Sequence, residues 1–583
     1  MPAPLIDAKT PLVCREPFIP FLPWANRPVP LNMGAMIDKL KTLYRSTFGH
    51  AMVGAVLLWA ALPPLGIWPL AWVAPAWWVI LIRRKELPGR RPYRALWLVW
   101  LIFWLATLYW LCFPHWSTSF GWLALSLYFA FYLPLFVALS RTAVHRLRVP
   151  VIVAAPVVWM GLELARAYVL TGMTMASLGH TQYRWITLIQ ISDLVGALGV
   201  GFVVMMVAAC IGRMLPCDER PKAWWPLLPA AAVMTIVIGY GCWSIMDGEI
   251  VNLESDDRPD ARVALIQGCI DSKLKGDPKM RERIYGEYRD LSLKALRDAG
   301  TEGQTPETID LIVWPESMLP TPLVDLSPDA KQPDYLSYSD EEFATLPEFS
   351  RRRITEETAG MFATPTLLGV NTFFYSADAT EIFNSAVLVV PNGEFSDRYD
   401  KRHLVMFGEY VPLAKTFPLL QRFTPLPISV TAGEKAKVFE LGKLRIAPNI
   451  CYESVLSRVI RRQINELRAE GQQPNVLVNI TNDGWYYGSS ELDLHLICGV
   501  FRAVECRMPM LIAANTGFSA WIDADGRIIE QGPRHAKGII IADVRTDDRD
   551  SWYLRHGDIP AGICLAACVF FAAVGFRKRR LPY

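Results

Sequence analysis

The sequence predicts a polytopic α-helical membrane domain joined to one α/β domain. Three observations support this: hydrophobic residues make up 52% of the 583-residue chain, charged residues make up only 20%, and the two kinds are segregated. Apolar residues concentrate before residue 246 and after residue 558, whereas charged residues concentrate between them. A soluble protein carries about 25% charged residues. The pattern therefore excludes a disordered chain, a repeat solenoid and a small disulfide scaffold.

Eight apolar stretches approach the roughly 20 residues that a membrane-spanning helix needs. They run over residues 50–64, 68–82, 95–113, 119–140, 149–170, 186–212, 224–246 and 559–576. Pro63, Pro64 and Pro69 divide the first two stretches. These two therefore form either one hairpin or two tilted helices.

Basic residues mark every second loop between the stretches. They follow the second, fourth, sixth and last stretches as Arg83, Arg84, Lys85, Arg90, Arg91, Arg94; Arg141, Arg146, Arg148; Arg213, Arg220, Lys222; and Arg577, Lys578, Arg579, Arg580. Loops rich in Lys and Arg stay in the cytoplasm. We therefore expect both termini in the cytoplasm and the charged block on the outer side of the membrane.

Four segments follow from this pattern. We expect an N-terminal extension over 1–48, a membrane domain of about seven helices over 49–246, an outer charged domain over 247–555, and a last helix with a basic tail over 556–583. The first segment is Pro-rich and lacks the apolar core of a signal peptide. It is either a flexible extension or the result of a start codon assigned too early, with Met33 or Met36 as the true start.

Polar residues within or beside the predicted spans are costly, so they merit a functional or structural reason. Glu163 and Arg166 lie three positions apart on one helical face, where they form either a structural ion pair or part of a site. His180 and Gln182 are candidates to line a path for lipid access. Asp193 is expected to cap a helix or to pair with an arginine.

The charged block alternates apolar strand-like runs with amphipathic helical stretches, which predicts a layered α/β domain of about 300 residues. The predicted strands are 262–267, 311–314, 366–370, 386–390, 444–447, 476–480, 510–514 and 519–522, and the predicted helices are 279–299, 350–361, 454–469 and 492–506. The stretch 321–349, rich in Asp and Pro, is predicted to be an exposed loop.

Three reactive side chains each follow an apolar run of this block: Glu316, Lys401 and Cys451. Any one of them alone is more often a solvated acid, a surface lysine or a buried thiol. Together they form a nucleophilic set, because a thiolate attacks, a carboxylate moves the proton and an ammonium stabilises negative charge. Eleven cysteines without zinc-like spacing predict no metal site, and a net charge of +3 implies no nucleic-acid partner.

The motifs around these residues resemble a known family. They are Gln267-Gly268, Trp314-Pro315-Glu316, Asp400-Lys401, His403 to Pro412, Asn449-Ile450-Cys451-Tyr452-Glu453, Thr481-Asn-Asp-Gly-Trp485, Arg502-Ala-Val-Glu505 and Asn515-Thr-Gly-Phe-Ser519. With seven helices before this block and one after it, residues 50–576 are similar to bacterial apolipoprotein N-acyltransferases of the nitrilase, or carbon–nitrogen hydrolase, superfamily. The resemblance implies a nitrilase-like αββα sandwich.

The resemblance also implies an activity without metal or organic cofactor. Cys451 would take an acyl chain from a membrane phospholipid as a thioester. It would then pass the chain to the α-amine of the diacylglyceryl-cysteine that begins an apolipoprotein, which is the last step of lipoprotein maturation. The expected location is the bacterial inner membrane, with a monomeric enzyme facing outward.

Further roles carry over from the same motifs. Glu409 and Glu453 would support the catalytic network, and backbone N–H groups near Cys451 and Tyr452 would complete an oxyanion site. The residues expected to bind substrate or to form its lid are Phe407, Trp485, Asn482 and Gln182.

The chain departs from the family pattern at Met406, at Met173 to Met175 and at Ile512, which affects expectations of substrate shape rather than chemistry. A membrane-tethered amidase or nitrilase acting on a small substrate has the same reactive set and stays an alternative. A receptor or transporter with a degenerate sensor domain predicts the loss of at least one reactive residue, and none is lost.

Overall fold

A computed structural model describes residues 46–217, 223–254, 258–301, 308–411, 416–417, 419 and 429–577. The alternatives for the N-terminal extension lie outside these residues. So do Arg220, Lys222 and the basic tail from Lys578 onward.

Helices dominate the first part of the described chain and its end. They are α1 (Thr47–Ala61), α2 (Ala76–Arg83), α3 (Pro92–Thr107), α4 (Thr118–Phe129), α5 (Tyr132–Arg146), α6 (Val151–Tyr168), α7 (Ile186–Ile189), α8 (Ser192–Met214), α9 (Leu227–Glu254) and, at the end, the helix Ile559–Arg577. Within the described residues, five helical segments are long and apolar enough to cross a membrane, with α4 and α5 forming one of them. Helices α1 and α3 are shorter apolar helices.

The second predicted stretch, 68–82, does not form one helix. It divides into a 3-10 turn at Trp68–Trp72 and the eight-residue helix α2. Pro69 and Pro75 stand at the starts of these two pieces, where a residue without an N–H group is tolerated but a continuous helix is not. Helix α2 is nevertheless buried, and its Trp78 stacks on Trp159 of α6 with ring centroids 5.4 Å apart.

The middle of the chain forms two β-sheets. The strands are β1 (Ala261–Gln267), β2 (Leu311–Val313), β3 (Leu323–Leu326), β4 (Thr366–Tyr375), β5 (Thr380–Val389), β6 (Phe395–Asp400), β7 (Phe439–Leu441), β8 (Leu444–Ile450), β9 (Val476–Thr481), β10 (Met510–Ala514), β11 (Ala520–Ile522), β12 (Ile528–Gln531) and β13 (Gly538–Val544). One sheet has the order β13-β1-β2-β4-β5-β6 with β3 beside β4, and the other has the order β12-β11-β10-β9-β8-β7. All eight strands expected from the sequence are present, several of them longer than predicted.

The two sheets pack face to face, with helices on their outer faces. Val263, Val313 and Leu388 of one sheet share an apolar core with Ile446 and Val478 of the other. The outer helices are α10 (Arg281–Thr301), α11 (Asp340–Glu357), α12 (Ala359–Phe362), α13 (Ser457–Ala469), α14 (Glu491–Cys506) and α15 (Trp552–His556). The last helix, Ile559–Arg577, is α16. The fold is a polytopic helical domain plus an αββα sandwich, which confirms the expected fold class.

The prediction of an exposed loop over 321–349 holds for residues 327–339 and is wrong for the elements on either side of them. This segment contains strand β3 and the first half of α11, whose N-terminus is closed by a capping box between Ser339 and Glu342. The predicted helix 350–361 is accordingly the second half of α11 followed by α12. The abundance of Asp and Pro misled the prediction, because these residues favour helix starts as well as loops.

Helix α14 joins the sandwich to the membrane helices. Its apolar residues share one core with Ala197, Val200 and Val203 of α8. At its C-terminus, Arg507 is almost fully buried and donates to Asp193 of α8 (2.6 Å) and to Asp525 (3.0 Å). The expected pairing of Asp193 with an arginine is confirmed, and its partner is Arg507.

Candidate active site

Glu316 follows strand β2 closely, after Trp314 and Pro315. Its carboxylate is 8% exposed and has two fixed donors. The Asn384 amide donates to Oε1 at 2.6 Å, and the backbone N–H of Asn482 donates to Oε2 at 3.0 Å. The sandwich thus holds this carboxylate in one orientation.

Lys401 comes directly after strand β6, and its backbone N–H donates to the Asn384 carbonyl at 2.8 Å. Its ammonium is 1% exposed and lies 2.8 Å from Glu409 Oε1 and 3.5 Å from Glu316 Oε1. Burial lowers the pKa of Lys401, but Glu409, Glu316 and, to a smaller extent, Cys451 outweigh it and hold that pKa well above its usual value. The amine therefore stays charged.

Cys451 begins the 3-10 turn Cys451–Val455 immediately after strand β8. Its φ angle is 53°, in the left-handed region that residues with a Cβ atom seldom adopt. Burial raises the pKa of its thiol well above the usual value, Glu316 raises it further, and Lys401 opposes both. The three predicted reactive groups therefore lie close enough to act on one another electrostatically.

Glu453 and Tyr399 stabilise the turn that carries the thiol. The fully buried Glu453 carboxylate accepts hydrogen bonds from the backbone N–H groups of Ile450 (2.8 Å), Arg402 (2.9 Å) and His403 (3.0 Å). The Tyr399 hydroxyl donates to the same carboxylate at 2.9 Å. Glu453 thus joins the loop after Lys401 to the loop of Cys451.

Glu409 supports Lys401 from the other side. Its Oε1 accepts from the ammonium, and its Oε2 accepts from the backbone N–H of Val405 at 2.8 Å. Phe407 lies between Val405 and Glu409 in the sequence. Its side chain is 42% exposed and its φ angle is 61°, so this loop presents an apolar ring outward.

A cluster of three aromatic side chains follows strand β9 and contacts the membrane domain. Tyr486 packs edge-on against Trp110 with ring centroids 5.0 Å apart, and Tyr487 packs against Phe113 at 6.2 Å. Trp485 is half-buried in the same turn. Asn482 begins this turn, and its backbone N–H donates to the Glu316 carboxylate, as described above.

Tyr452 connects the turn that carries Cys451 to the membrane helices. Its hydroxyl donates to the Gly172 carbonyl at 3.0 Å. The Thr174 hydroxyl donates to the Val455 carbonyl at the end of the same turn. Residues Met173 and Met175, which depart from the family pattern, are buried beside these contacts.

The structure keeps Gln182 with the membrane helices and does not bring it into contact with the reactive set. Its carboxamide accepts from the Trp72 indole at 2.9 Å and donates to Thr181 at 2.8 Å, and the residue is 1% exposed. Glu163 and Arg166 form an ion pair at 3.7 Å, and Arg166 also donates to Ser177 at 2.7 Å.

Several residues of the site were not predicted. The sequence predicted no role for Asn384, Asp483, Glu491, His495 or Tyr399. A polar residue inside an otherwise apolar strand was the signal available for Asn384. Among the described residues, Asp483, Glu491 and His495 form a cluster of possible cation ligands, because one oxygen or nitrogen atom of each side chain lies within 4.8 Å of the others.

Family models and individual relatives agree on the kind of protein to which this chain is similar. A family model described as the apolipoprotein N-acyltransferase N-terminal domain matches residues 54–210, and a carbon-nitrogen hydrolase model matches residues 262–553. An apolipoprotein N-acyltransferase of Geobacter metallireducens is 32% identical over 92% of this chain and 97% of its own length. One from Rhodopirellula baltica is 30% identical over 88% and 94%. Among solved structures, an amidase from Nesterenkonia sp. aligns at 15% identity over 52% of this chain and 95% of its own, with a TM-score of 0.33.

Proposed function

The chain belongs to the apolipoprotein N-acyltransferase family, and from that premise we propose the route by which it acylates its substrate. It is a membrane acyltransferase that N-acylates lipoproteins. In the proposal, a membrane phospholipid is the acyl donor and Cys451 carries the acyl chain as a thioester. The acceptor is the α-amine of an N-terminal diacylglyceryl-cysteine.

In the first proposed step, Glu316 removes the proton of the Cys451 thiol and the thiolate attacks an ester carbonyl of the phospholipid. A carbon–sulfur bond forms and the carbonyl oxygen becomes negative. The Lys401 ammonium, with backbone N–H groups near Tyr452, stabilises that oxygen. As the ester carbon–oxygen bond breaks, Glu316 returns its proton to the leaving oxygen, and a lysophospholipid departs.

In the second proposed step, the lipoprotein α-amine attacks the thioester carbonyl. Glu316 accepts a proton from the amine, a carbon–nitrogen bond forms, and the carbon–sulfur bond breaks. The proton on Glu316 then returns to the sulfur, which restores the free enzyme. Both carboxylate oxygens have defined donors, so the same group is oriented for proton transfer in both steps.

One observation favours this route over small-molecule hydrolysis: the turn that carries the nucleophile is hydrogen-bonded to the membrane domain through Tyr452 and Val455. Acyl chains leave a bilayer at a cost of about 0.8 kcal/mol per CH₂ group. An enzyme that acts on two lipid-anchored substrates therefore needs its thiol at the membrane surface. Phe407 and Trp485 are proposed to form the lid there, and Asn482 and Gln182 to line the substrate path.

The proposal includes topology and domain limits. Residues 49–246 would form the membrane domain and 247–555 the catalytic domain on the outer face of the bacterial inner membrane. The segments 1–48 and 556–583 would then leave both termini in the cytoplasm. The enzyme is proposed to act as a monomer.

Product analysis tests the proposal against its alternative. Purified enzyme is given phospholipid and a diacylglyceryl-cysteine lipopeptide, and we expect equal amounts of N-acylated lipopeptide and lysophospholipid. Cys451→Ala should form neither product while still inserting into membranes. Release of ammonia from small amides, without lysophospholipid, would instead support a membrane-tethered amidase.

A further inference from the structure

A buried cluster of one histidine and two acidic side chains lies next to the backbone of Cys451 and has no role in the steps above. Asp483 follows strand β9, and Glu491 and His495 lie on the first turns of α14. All three are at most 4% exposed. Among the described residues, Glu491 Oε2 is buried without a hydrogen-bond partner.

The His495 ring connects this group to the backbone of the nucleophile. Its Nδ1 lies 3.1 Å from Asp483 Oδ1, and its Nε2 lies 3.2 Å from the Cys451 carbonyl oxygen and 2.9 Å from Ser454 Oγ. Nδ1 faces the Asp483 carboxylate and Nε2 faces the Cys451 carbonyl, so the protonated ring donates to both oxygens. Burial lowers the pKa of His495, but Asp483 and the Cys451 carbonyl raise it above its usual value.

A bound cation is a weaker explanation of the same geometry. Both ring nitrogens already have acceptors, and Asp483 Oδ1 accepts a further hydrogen bond from the Thr481 hydroxyl at 2.8 Å. A metal would have to displace these contacts. The hydrogen-bonded ring needs no such change.

The Cys451 carbonyl is held by several donors at once. Besides His495, the Ser454 hydroxyl and the Asn479 amide each donate to it at 3.1 Å. These bonds oppose the tendency of the Cys451 backbone to leave its left-handed conformation. Because a trans peptide is planar, the N–H of Tyr452 must point away from this carbonyl. Fixing the carbonyl thus fixes the backbone that carries the thiol and the direction of the Tyr452 N–H.

We propose that His495, oriented by Asp483, is a positioning residue that holds the Cys451 carbonyl and thereby aims the nucleophile and the Tyr452 N–H at the substrate carbonyl. The inference rests on the proposed function, because it requires Cys451 to be the nucleophile.

The test compares His495→Leu with His495→Gln, whose amide nitrogen replaces Nε2 as a donor. A nucleophile misplaced by about 1 Å costs about 100-fold in rate. We therefore expect His495→Leu to lower kcat of acyl-enzyme formation about 100-fold with little change in KM for phospholipid. His495→Gln should recover at least about tenfold of this loss. Asp483→Asn should act in the same direction, by about tenfold.

His50→Leu is the matched control, because His50 is also buried and its ring also contacts a backbone carbonyl, that of Ser46, at 3.0 Å. It should keep the wild-type kcat. Wild-type kcat in a folded His495→Leu variant, or equal kcat in the Leu and Gln variants at equal Tm, would overturn the inference. So would a stoichiometric divalent metal in the wild type that is lost from Glu491→Gln together with activity. Failure of the proposed function is distinguishable, since the wild type itself would then form no thioester.

Discussion

The Lys401 ammonium lies between two carboxylates at unequal distances, 2.8 Å from Glu409 and 3.5 Å from Glu316. This asymmetry indicates that the two carboxylates have different roles. The nearer carboxylate neutralises the ammonium and fixes its position. In the proposed mechanism, the more distant one, held by Asn384 and by the backbone of Asn482, exchanges a proton with the substrate.

The variant Glu409→Gln tests whether Glu409 keeps the Lys401 ammonium charged and in position. A hydrogen bond to a charged group contributes about 1.5–3 kcal/mol, so we expect kcat to fall about 10- to 100-fold at neutral pH. Without the Glu409 charge, the pKa of Lys401 should fall, because burial is then opposed by fewer carboxylates. The amine would lose its proton at lower pH, and the alkaline limb of the pH–rate profile should move to lower pH.

Glu440→Gln serves as the control for this experiment, because Glu440 is an exposed acid on strand β7. It should leave both kcat and the pH profile unchanged. An alkaline limb at the same pH in Glu409→Gln and in the wild type would contradict the assigned role of Glu409.

Glu491→Gln should stabilise the protein, and the gain should grow with pH. Burial raises the pKa of Glu491 well above its usual value, and the nearby Asp483 charge adds to this. Between the unfolded and folded pKa values the folded state keeps a proton that the unfolded state has lost. Wild-type stability therefore falls as pH rises, by up to about 1.4 kcal/mol per pH unit. Glutamine does not titrate, so it avoids this loss.

Thermal unfolding of both proteins in detergent at pH 5, 7 and 9 measures the effect. The difference in Tm should increase with pH. A constant difference would mean that the Glu491 carboxyl is ionised in the folded state throughout this range.

The sequence predicted that Glu316, Lys401 and Cys451 would lie close together. Glu316 and Cys451 follow apolar strand sequences, whereas Lys401 follows the polar strand Phe395–Asp400 and was indicated by the Asp400-Lys401 motif. Asn384 and His495 gave weaker signals. Asn384 lies within a strand that the sequence marked only from residue 386, and His495 lies on an amphipathic helix where a buried histidine is ordinary. Their roles depend on contacts with residues 68 and 44 positions away, which local pattern does not encode.

Helix α14 is the element that couples the two domains. Its apolar face packs on α8, and Arg507 at its end is buried against Asp193 and Asp525. Arg507 also donates to Gln190 at 2.7 Å. This charged cluster fixes the end of the helix that also carries His495.

Arg507→Met should destabilise the protein strongly. Removing one partner of a buried ion pair leaves uncompensated charge and costs about 3–5 kcal/mol. We expect a clear fall in Tm, measured by circular dichroism in detergent. Arg527→Met is the control: its guanidinium is 39% exposed and its ion pairs are 3.7 Å or longer, so Tm should change little. Equal Tm values for the two variants would contradict the coupling role of Arg507.

The bounds of an element could be predicted where an apolar run was long. The prediction failed where proline-containing segments were compatible with more than one structure. In the second stretch Pro69 and Pro75 broke an expected span into a 3-10 turn and a short helix. In 321–349 the polar composition concealed β3 and α11, because strand β3 forms only through pairing with β4. Because β4 is distant from β3 in sequence, the residues of β3 carry no local signal of this pairing.

The molecule as a whole is a membrane acyltransferase, and its proposed orientation can be tested by labelling. The basic loop after α2 should be cytoplasmic and the turn after β5 should be outside. In intact spheroplasts, a membrane-impermeant thiol reagent should label Glu394→Cys but not Arg90→Cys, each corrected for labelling of the parent protein. Both positions are exposed. Labelling of Arg90→Cys without permeabilisation would reverse the proposed topology.

The central claim is that one thiol at the junction of the two domains carries the acyl chain between two lipid substrates. Mass spectrometry of the intact enzyme, incubated with phospholipid alone and then digested, tests it most directly. We predict one acyl chain on the peptide that contains Cys451, removable by hydroxylamine and by added lipopeptide, and absent from Cys451→Ala. Lipopeptide acylation at the wild-type rate by Cys451→Ala, or an acyl chain found on another residue, would contradict the account.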